Sequence, residues 1–256
     1  MSTLPFPLGT IAHFIEALGF SLLPTLRTLL TRPSLLFRPS QLAKISFAHL
    51  WEVLGPGIDS NSQAWKHSLL YPHASGVVLD VGAGHGHTMQ YLDKTRVSRY
   101  VAVEPNEYMH EKIKEMANKC GFDDVIILGC GAENVEKIKA GIGGGGQADT
   151  IVAILTLCSI KEPKEVASAL VKGVLRSRGQ VLWCEHIVNP IRKVQLWQRI
   201  FSPIWGLVFD GCRLGQDTVG ILLGAGSWST TEIEDLPGEE AKNNTLYHKM
   251  GRFVKA

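Results

Sequence analysis

The sequence predicts an α/β sandwich in which a mostly parallel seven-stranded sheet is flanked by helices and preceded by an N-terminal helical cap. Three observations support this. From Val77 onward, short apolar runs rich in β-formers alternate with helix-like stretches, the pattern of strands joined by crossover helices. The first such run ends in closely spaced glycines, Gly82, Gly84 and Gly86, as the first strand-to-helix turn of a ligand-binding sheet requires. Ahead of it, residues 1–70 read as helical segments punctuated by proline.

The cap begins with Ile11 to Leu30, where Ile11, Phe14, Ile15, Leu18 and Leu22 recur at helical spacing. His13, Glu16, Pro24 and Arg27 interrupt that run and would be costly at the centre of a bilayer, which argues against a transmembrane span. A helix packed over the main domain is expected. The alternative is peripheral membrane contact through residues 1–39, because Arg27, Arg32 and Arg38 accompany the apolar face. A second helix, Leu42–Leu54, is predicted to end at Gly55, Pro56 and Gly57.

Strands are predicted at Val77–Val81, Tyr100–Val103, Val125–Leu128, Thr150–Ile154 and Gln180–Glu185, with helices at Thr88–Thr95, Tyr108–Lys119, Glu133–Lys139 and Lys164–Leu175. Gly141 to Gly146 holds five glycines in six positions and reads as a surface loop. Asn189–Phe209 is an amphipathic helix within a substrate-side insertion near 187–226, and Ser227–Glu234 and Thr245–Val254 supply two last strands, paired antiparallel. The chain thus divides into a cap, 1–70, and a main domain, 71–256.

With 256 residues and 45% hydrophobic content, the chain buries its own core. A formal net charge of +2 without a basic stripe excludes a nucleic-acid binder and a disordered tail. Cys120, Cys130, Cys158, Cys184 and Cys212 are odd in number and contain no C-x-x-C pair. They indicate neither a zinc site nor a disulfide framework, so no metal is expected and an intracellular, cytoplasmic setting fits. The N-terminus lacks the basic start and cleavage site of a secretory signal.

The glycine turn carries the cofactor argument. Gly82, Ala83, Gly84 and Gly86 follow an apolar strand, and Glu104 stands 18 to 22 residues beyond those glycines, at the end of the next strand, where an acid accepts both ribose hydroxyls. A nicotinamide dinucleotide site shares that acid but spaces its glycines G-x-G-x-x-G, whereas this turn reads G-x-G-x-G. Asp80, two residues before the first glycine, is awkward beside a pyrophosphate and favourable beside a sulfonium or an α-amino group. It is equally explained as a structural cap on the turn. Together these features point to S-adenosylmethionine (SAM), with Pro105 and Asn106 beside Glu104, Ala132 and Glu133 at the adenine edge after the third strand, and Leu155 after the fourth.

At this point the sequence resembles the class I SAM-dependent methyltransferases, and within them the methyltransferase-like thiol methyltransferases, a membrane-associated group, with related fungal and bacterial small-molecule enzymes. The resemblance covers roughly Ser75 to Ala256. The stretch Leu79 to Gly86 with Glu104 to Asn106 is shared by the whole superfamily. The more specific part is Thr156 to Lys161, Glu185 and His186, and the run from Trp197 and Gln198 through Pro203 and Trp205 to Phe209 and Cys212. It implies a Rossmann-like sandwich and methyl transfer from SAM to a sulfur or similar soft nucleophile on a small lipophilic molecule. Those relatives carry a strongly apolar N-terminal anchor, from which this chain departs; the membrane implied is that of the endoplasmic reticulum.

Methyl transfer from a sulfonium needs alignment and exclusion of water more than acid or base groups. A thiol or phenol acceptor must still lose a proton, and His186, ending the fifth strand, is the candidate to take it, with Glu185 or Asp210 to orient it. His186 is equally explained by hydrogen bonding to loop backbone, and Asp210 by a turn. Cys158 and Cys212 are expected to be small buried packing residues. Trp197, Trp205 and Phe209, at i, i+8 and i+12, would wall an apolar acceptor pocket if their helix survives Pro203. A nucleic-acid amino-methyltransferase would carry an Asn/Asp-Pro-Pro-aromatic tetrad where Leu155 to Cys158 stand, so no nucleic-acid substrate is expected. A non-methylating SAM-binding protein of the same fold, rearranging a small ligand, is the alternative function.

Overall fold

The computed structural model describes residues 6–256, so the first five residues of the predicted cap and membrane-contact segment lie outside the described residues. Seven strands, β1 (Gly76–Val81), β2 (Val97–Val103), β3 (Val125–Leu128), β4 (Ala148–Ile154), β5 (Leu175–His186), β6 (Trp228–Asp235) and β7 (His248–Lys255), form one sheet in the order β3-β2-β1-β4-β5-β7-β6. The first five run parallel; β7 pairs antiparallel with both β5 and β6.

Strand alternation assigns side chains to two cores. Leu79, Val101, Ile151, Val181, Trp183 and Phe253 face one side, and their immediate neighbours Val78, Tyr100, Val152, Leu182 and Cys184 the other. Both faces are covered, as a parallel sheet requires. The covering helices are α1 (Leu8–Thr31), α2 (Pro39–Leu70), α3 (His110–Cys120), α4 (Val135–Ile142), α5 (Pro163–Gly173), α6 (Arg192–Val208) and α7 (Thr218–Leu223). Because the chain leaves β1 toward β2 and β3, then returns to β4 on the other side, the topological switch lies between β1 and β4. A ligand crevice belongs at their carboxyl ends.

Several predicted boundaries need correction. The helix expected at 88–95 is only a 3-10 turn, His87–Tyr91. Met89, Tyr91 and Leu92 are drawn into the core, and Asp93 accepts from the backbone N–H of Thr95 at 2.9 Å, a local turn that ends any helix. The helix expected to stop at Gly55 instead runs through Gly55, Pro56 and Gly57 to Leu70. Its second half is held by tertiary contacts that outweigh the local breakers: the buried Asp59 carboxylate accepts from Lys66 Nζ at 2.6 Å, Tyr91 Oη at 2.9 Å and Gln90 Nε2 at 3.1 Å. The glycine-rich loop begins later, since Gly141 and Ile142 complete α4. β5 begins earlier than predicted, at Leu175, and α7 was not anticipated. Proline does not end α6, which continues past Pro203.

Candidate cofactor and acceptor site

The turn after β1 is built to bring backbone close to a ligand. Gly82 and Gly84 take φ of 68° and 56°, in the left-handed region that side chains resist. A Cβ on Gly82 would collide with the Thr156 hydroxyl, and one on Gly84 would come 3.1 Å from Trp51 Nε1. The turn is tied to its neighbour strand by Glu104, whose Oε2 accepts from Gly84 N and Oε1 from Asn106 N, each at 2.8 Å. Burial pushes the Glu104 carboxyl up to about 7 despite those two bonds, and the nearby charges of Asp210 and Asp80 push the same way. Each of its oxygens retains a second lone pair for a ligand hydroxyl.

Asp80 lies beneath the turn, buried, where its carboxylate accepts from the Tyr100 hydroxyl. Burial raises it to about 6, against the hydrogen bonds from Tyr100 and Thr88. Its protein partners therefore make it an anchor between β1, β2 and the turn. Pro105 and Asn106 are gripped from above by α2: Lys44 Nζ donates to Pro105 O at 2.7 Å, and Asn106 Nδ2 donates to Lys44 O at 2.9 Å. Ala132 is buried and Glu133 exposed in the loop between β3 and α4. Leu155, just past β4, has φ of 54°, a conformation rare for a residue with a branched side chain, and its N–H is held by Cys184 O at 2.9 Å.

Trp51, Lys44 and His87 were not singled out in the sequence. The nearest signal is the pair Trp51 and Gly55, one helical turn apart on the cap and facing the same way. Among the described residues, Trp51 Nε1 and both His87 ring nitrogens are buried without a hydrogen-bond partner. An orphaned indole donor beside a glycine cradle and a buried acid with free lone pairs suit a polar ligand with hydroxyl groups.

A second group of side chains occupies the carboxyl ends of β4 and β5. Cys158, His186 and Cys212 are all buried, and their Sγ and ring nitrogen atoms lie within 4.8 Å of one another. His186 Nε2 is 3.1 Å from Cys212 Sγ, and its Nδ1 has no partner among the described residues. Both cysteines are buried and pack with Trp205 and Leu214, as expected, and the fold also brings their sulfurs beside the His186 ring. The loop bearing Cys158 is fastened from both sides. Glu185 Oε1 accepts from Thr156 N and Leu157 N at 2.8 Å each. Arg213 donates to the carbonyls of Cys158, Ile160 and Lys161, and Gln216 to that of Leu157. Burial raises the Glu185 carboxyl to about 7. The Cys158 thiol is held far above its usual range by its hydrogen bond to Cys212 and by burial.

The aromatic wall is only partly as expected. Trp205 and Phe209 stack with centroids 3.9 Å apart, and Phe14 of α1 packs on Trp205. Trp197 instead meets Phe6 edge-on, so it does not join that stack. Gln198 is fully buried and bonds Asn189 N, Ile187 O and Thr245 O, which fixes the exit of β5. Asp210 is an exposed turn residue with φ of 45°, yet its charge reaches Glu104 and feels Lys44. The turn before Cys212 therefore approaches the carboxyl end of β2. A groove of about 760 Å³ opens between α6 and the segment Gly211 to Gln216, the neighbours of Cys212 among its walls.

Comparison with known proteins agrees with this architecture. A family model described as a methyltransferase domain matches residues 61–210. The human thiol S-methyltransferase TMT1B is 29% identical over 223 residues, spanning 84% of this chain and 88% of that protein. An O-methyltransferase family protein from Burkholderia thailandensis superposes with a TM-score of 0.59 at 13% identity, covering 84% of this chain and 60% of the other. The N-methyltransferase NodS from Bradyrhizobium japonicum, solved with S-adenosyl-L-homocysteine, gives 0.52 at 13% identity, covering 77% and 86%. The match over more than half of the chain, on a seven-stranded sheet with its glycine turn at the switch point, shows that this protein belongs to the methyltransferase domain family and is a SAM-dependent methyltransferase.

Proposed function

We propose that the acceptor is the thiol of a small lipophilic molecule. The observation that carries this is the Cys158, His186 and Cys212 cluster, placed at the carboxyl ends of β4 and β5 and walled by Trp205 and Phe209. The human relative named as a thiol S-methyltransferase supports it. SAM supplies an electrophilic methyl on a cationic sulfur. Glu104 would hold its ribose hydroxyls, the backbone of Gly82 to Gly86 and Leu155 its amino-acid portion, and Ala132 and Glu133 its adenine edge, while Asp80 keeps the turn in place. Thr156 lies against Gly82, and Cys158 is two residues further on, so the loop after β4 reaches from the glycine turn to the cluster. Ionising the acceptor is the task of the cluster, in which His186 is the one nitrogen base. Asp210 adds negative charge at the rim, and the groove beside Cys212 serves as the acceptor's entry.

The test is transfer of an isotopically labelled methyl from SAM to a panel of lipophilic thiols, phenols, amines and carboxylic acids, with Glu104→Ala and His186→Ala alongside. Label chiefly on thiols, abolished by Glu104→Ala, supports the reading. Label chiefly on oxygen or nitrogen sinks it.

The same reading includes an intracellular membrane surface, such as that of the endoplasmic reticulum, contacted through residues 1–39 and, beside them, by the exposed apolar face of α6. By length and composition α1 is long and apolar enough to cross a bilayer. Its Ile15, Leu22, Leu23 and Leu30 are exposed, as are Ile200, Ile204 and Leu207 of α6, which packs beside it. Arg27, Arg32 and Arg38 would meet anionic headgroups.

A further inference from the structure

We propose that Cys158, His186 and Cys212 bind one zinc ion and leave its fourth position for the acceptor's sulfur. Three protein ligands with one open position is the arrangement of catalytic zinc, and two thiolates with an imidazole are a donor set that zinc favours. The inference rests on the thiol reading of the acceptor and specifies how that thiol is ionised.

The geometry carries it. In a tetrahedral site, zinc lies about 2.3 Å from sulfur and about 2.1 Å from nitrogen, so its donors stand about 3.6–3.8 Å apart. Here the three donor atoms fall within 4.8 Å of one another, and His186 Nε2 is 3.1 Å from Cys212 Sγ. These separations bracket the tetrahedral value.

The ligands come from three separate places: the loop after β4, the last residue of β5, and the turn after α6. Each is braced by the residues beside the others. Glu185, Arg213 and Gln216 hold the Cys158 loop; the β5–β7 pairing sets His186 opposite His248; and the Cys212 backbone N–H bonds Phe209 O at 2.9 Å. The whole group would be assembled before a metal arrives, as a rigid site needs.

His186 is 3% exposed and turns its Nε2 toward the Cys212 sulfur at 3.1 Å. An imidazole nitrogen beside two thiols in a buried setting is a donor set that zinc favours.

The chemistry follows from the charge of the ion. A thiol entering the fourth position loses its proton to solvent as it becomes a zinc-bound thiolate, so no strong base is required. Methyl transfer then forms one carbon–sulfur bond and breaks another, with the electron pair of the broken bond staying on the departing sulfur. The product is a neutral thioether, a weaker ligand, which leaves the ion.

Cobalt(II), which takes the same tetrahedral geometry and is visible, is the probe. The full chain should bind one equivalent with tetrahedral ligand-field bands and a thiolate-to-cobalt charge-transfer band. Cys158→Ser and Cys212→Ser should each weaken that band, whereas Cys120→Ser, outside the cluster, should keep it. Calorimetric SAM binding checks that every variant is folded. A lipophilic thiol should shift the cobalt bands in the absence of SAM, and the matching thioether should not.

Absence of the charge-transfer band in a chain that still binds SAM overturns the metal site, as does isolation of the protein with a Cys158–Cys212 disulfide that resists reduction to a metal-binding form. Bands that form but do not move with thiol overturn the open position. None of these results touches the thiol reading, which the labelled-methyl panel decides separately.

Discussion

The indole of Trp51 faces Gly84 across the cofactor turn, with Nε1 only 3.1 Å from where a Cβ on that glycine would stand. The helical cap therefore packs against the glycine turn, and in the proposed site it would form one wall. Gly84→Ala meets two penalties, a left-handed φ of 56° and that contact, and the backbone strain alone costs about 1–2 kcal/mol. SAM affinity measured by titration calorimetry should fall roughly ten-fold or more. Trp51→Phe, which keeps the ring and loses the donor, should weaken SAM several-fold; unchanged affinity would mean that Nε1 does not reach the cofactor.

Glu104 gives a pH prediction of definite sign. Its folded carboxyl sits at about 7 against an ordinary 4.5, so the folded state favours the protonated form. Its stabilising contribution is complete below the ordinary value and is lost as pH rises toward 7. Over that window the loss is on the order of 3 kcal/mol. Glu185, also raised to about 7, acts in the same direction. Without cofactor, thermal stability should decline between pH 5 and 7.5 by calorimetry, and Glu104→Gln should flatten part of that slope. SAM affinity should rise over the same range, as the carboxylate that attracts a cationic ligand forms.

Asp59 and Lys66 hold the second half of α2 beyond its Gly-Pro-Gly interruption, with their charged atoms 2.6 Å apart in a buried setting. Lys66→Met leaves the carboxylate buried without its cation, which costs about 3–5 kcal/mol. Urea midpoints should drop accordingly. Limited proteolysis should open a new cleavage near Gly55 to Gly57, where the helix has lost its tether.

Arg213 fastens three carbonyls of the loop that carries Cys158. Its removal in Arg213→Ala should cost about 2 kcal/mol, the scale of hydrogen bonds from a charged group. Turnover of the acceptor should fall far more than SAM affinity, because Arg213 holds Cys158, Ile160 and Lys161, beyond Leu155 and Thr156 at the start of the loop. Equal losses in both would show that this part of the loop serves the cofactor as well.

Leu22 and Leu207 are exposed at 50% and 83%, on two helices that pack together. In flotation with vesicles of phosphatidylcholine and phosphatidylserine, Leu22→Glu with Leu207→Glu should reduce bound protein several-fold while SAM binding is unchanged. Unaltered flotation would remove this face from membrane contact.

The sequence by itself determined the α/β class and the glycine turn, because both are local. Short apolar runs alternating with helix-like stretches over β1 to β5, and three glycines closing a strand, depend on neighbours in the chain. What lay between elements distant in sequence was decided only by tertiary structure. Local rules ended α2 at Gly55 to Gly57, but the Asp59 network, drawing on Lys66, Gln90 and Tyr91, carried the helix through. Trp51 meets Gly84 only because the cap helix packs on the turn after β1, a contact between segments more than thirty residues apart in the chain. Cys158 and Cys212 contain no metal-ligand spacing in sequence; folding brings them to His186 from three segments. A contact between segments is set by the packing that closes the chain, so spacing alone does not encode it.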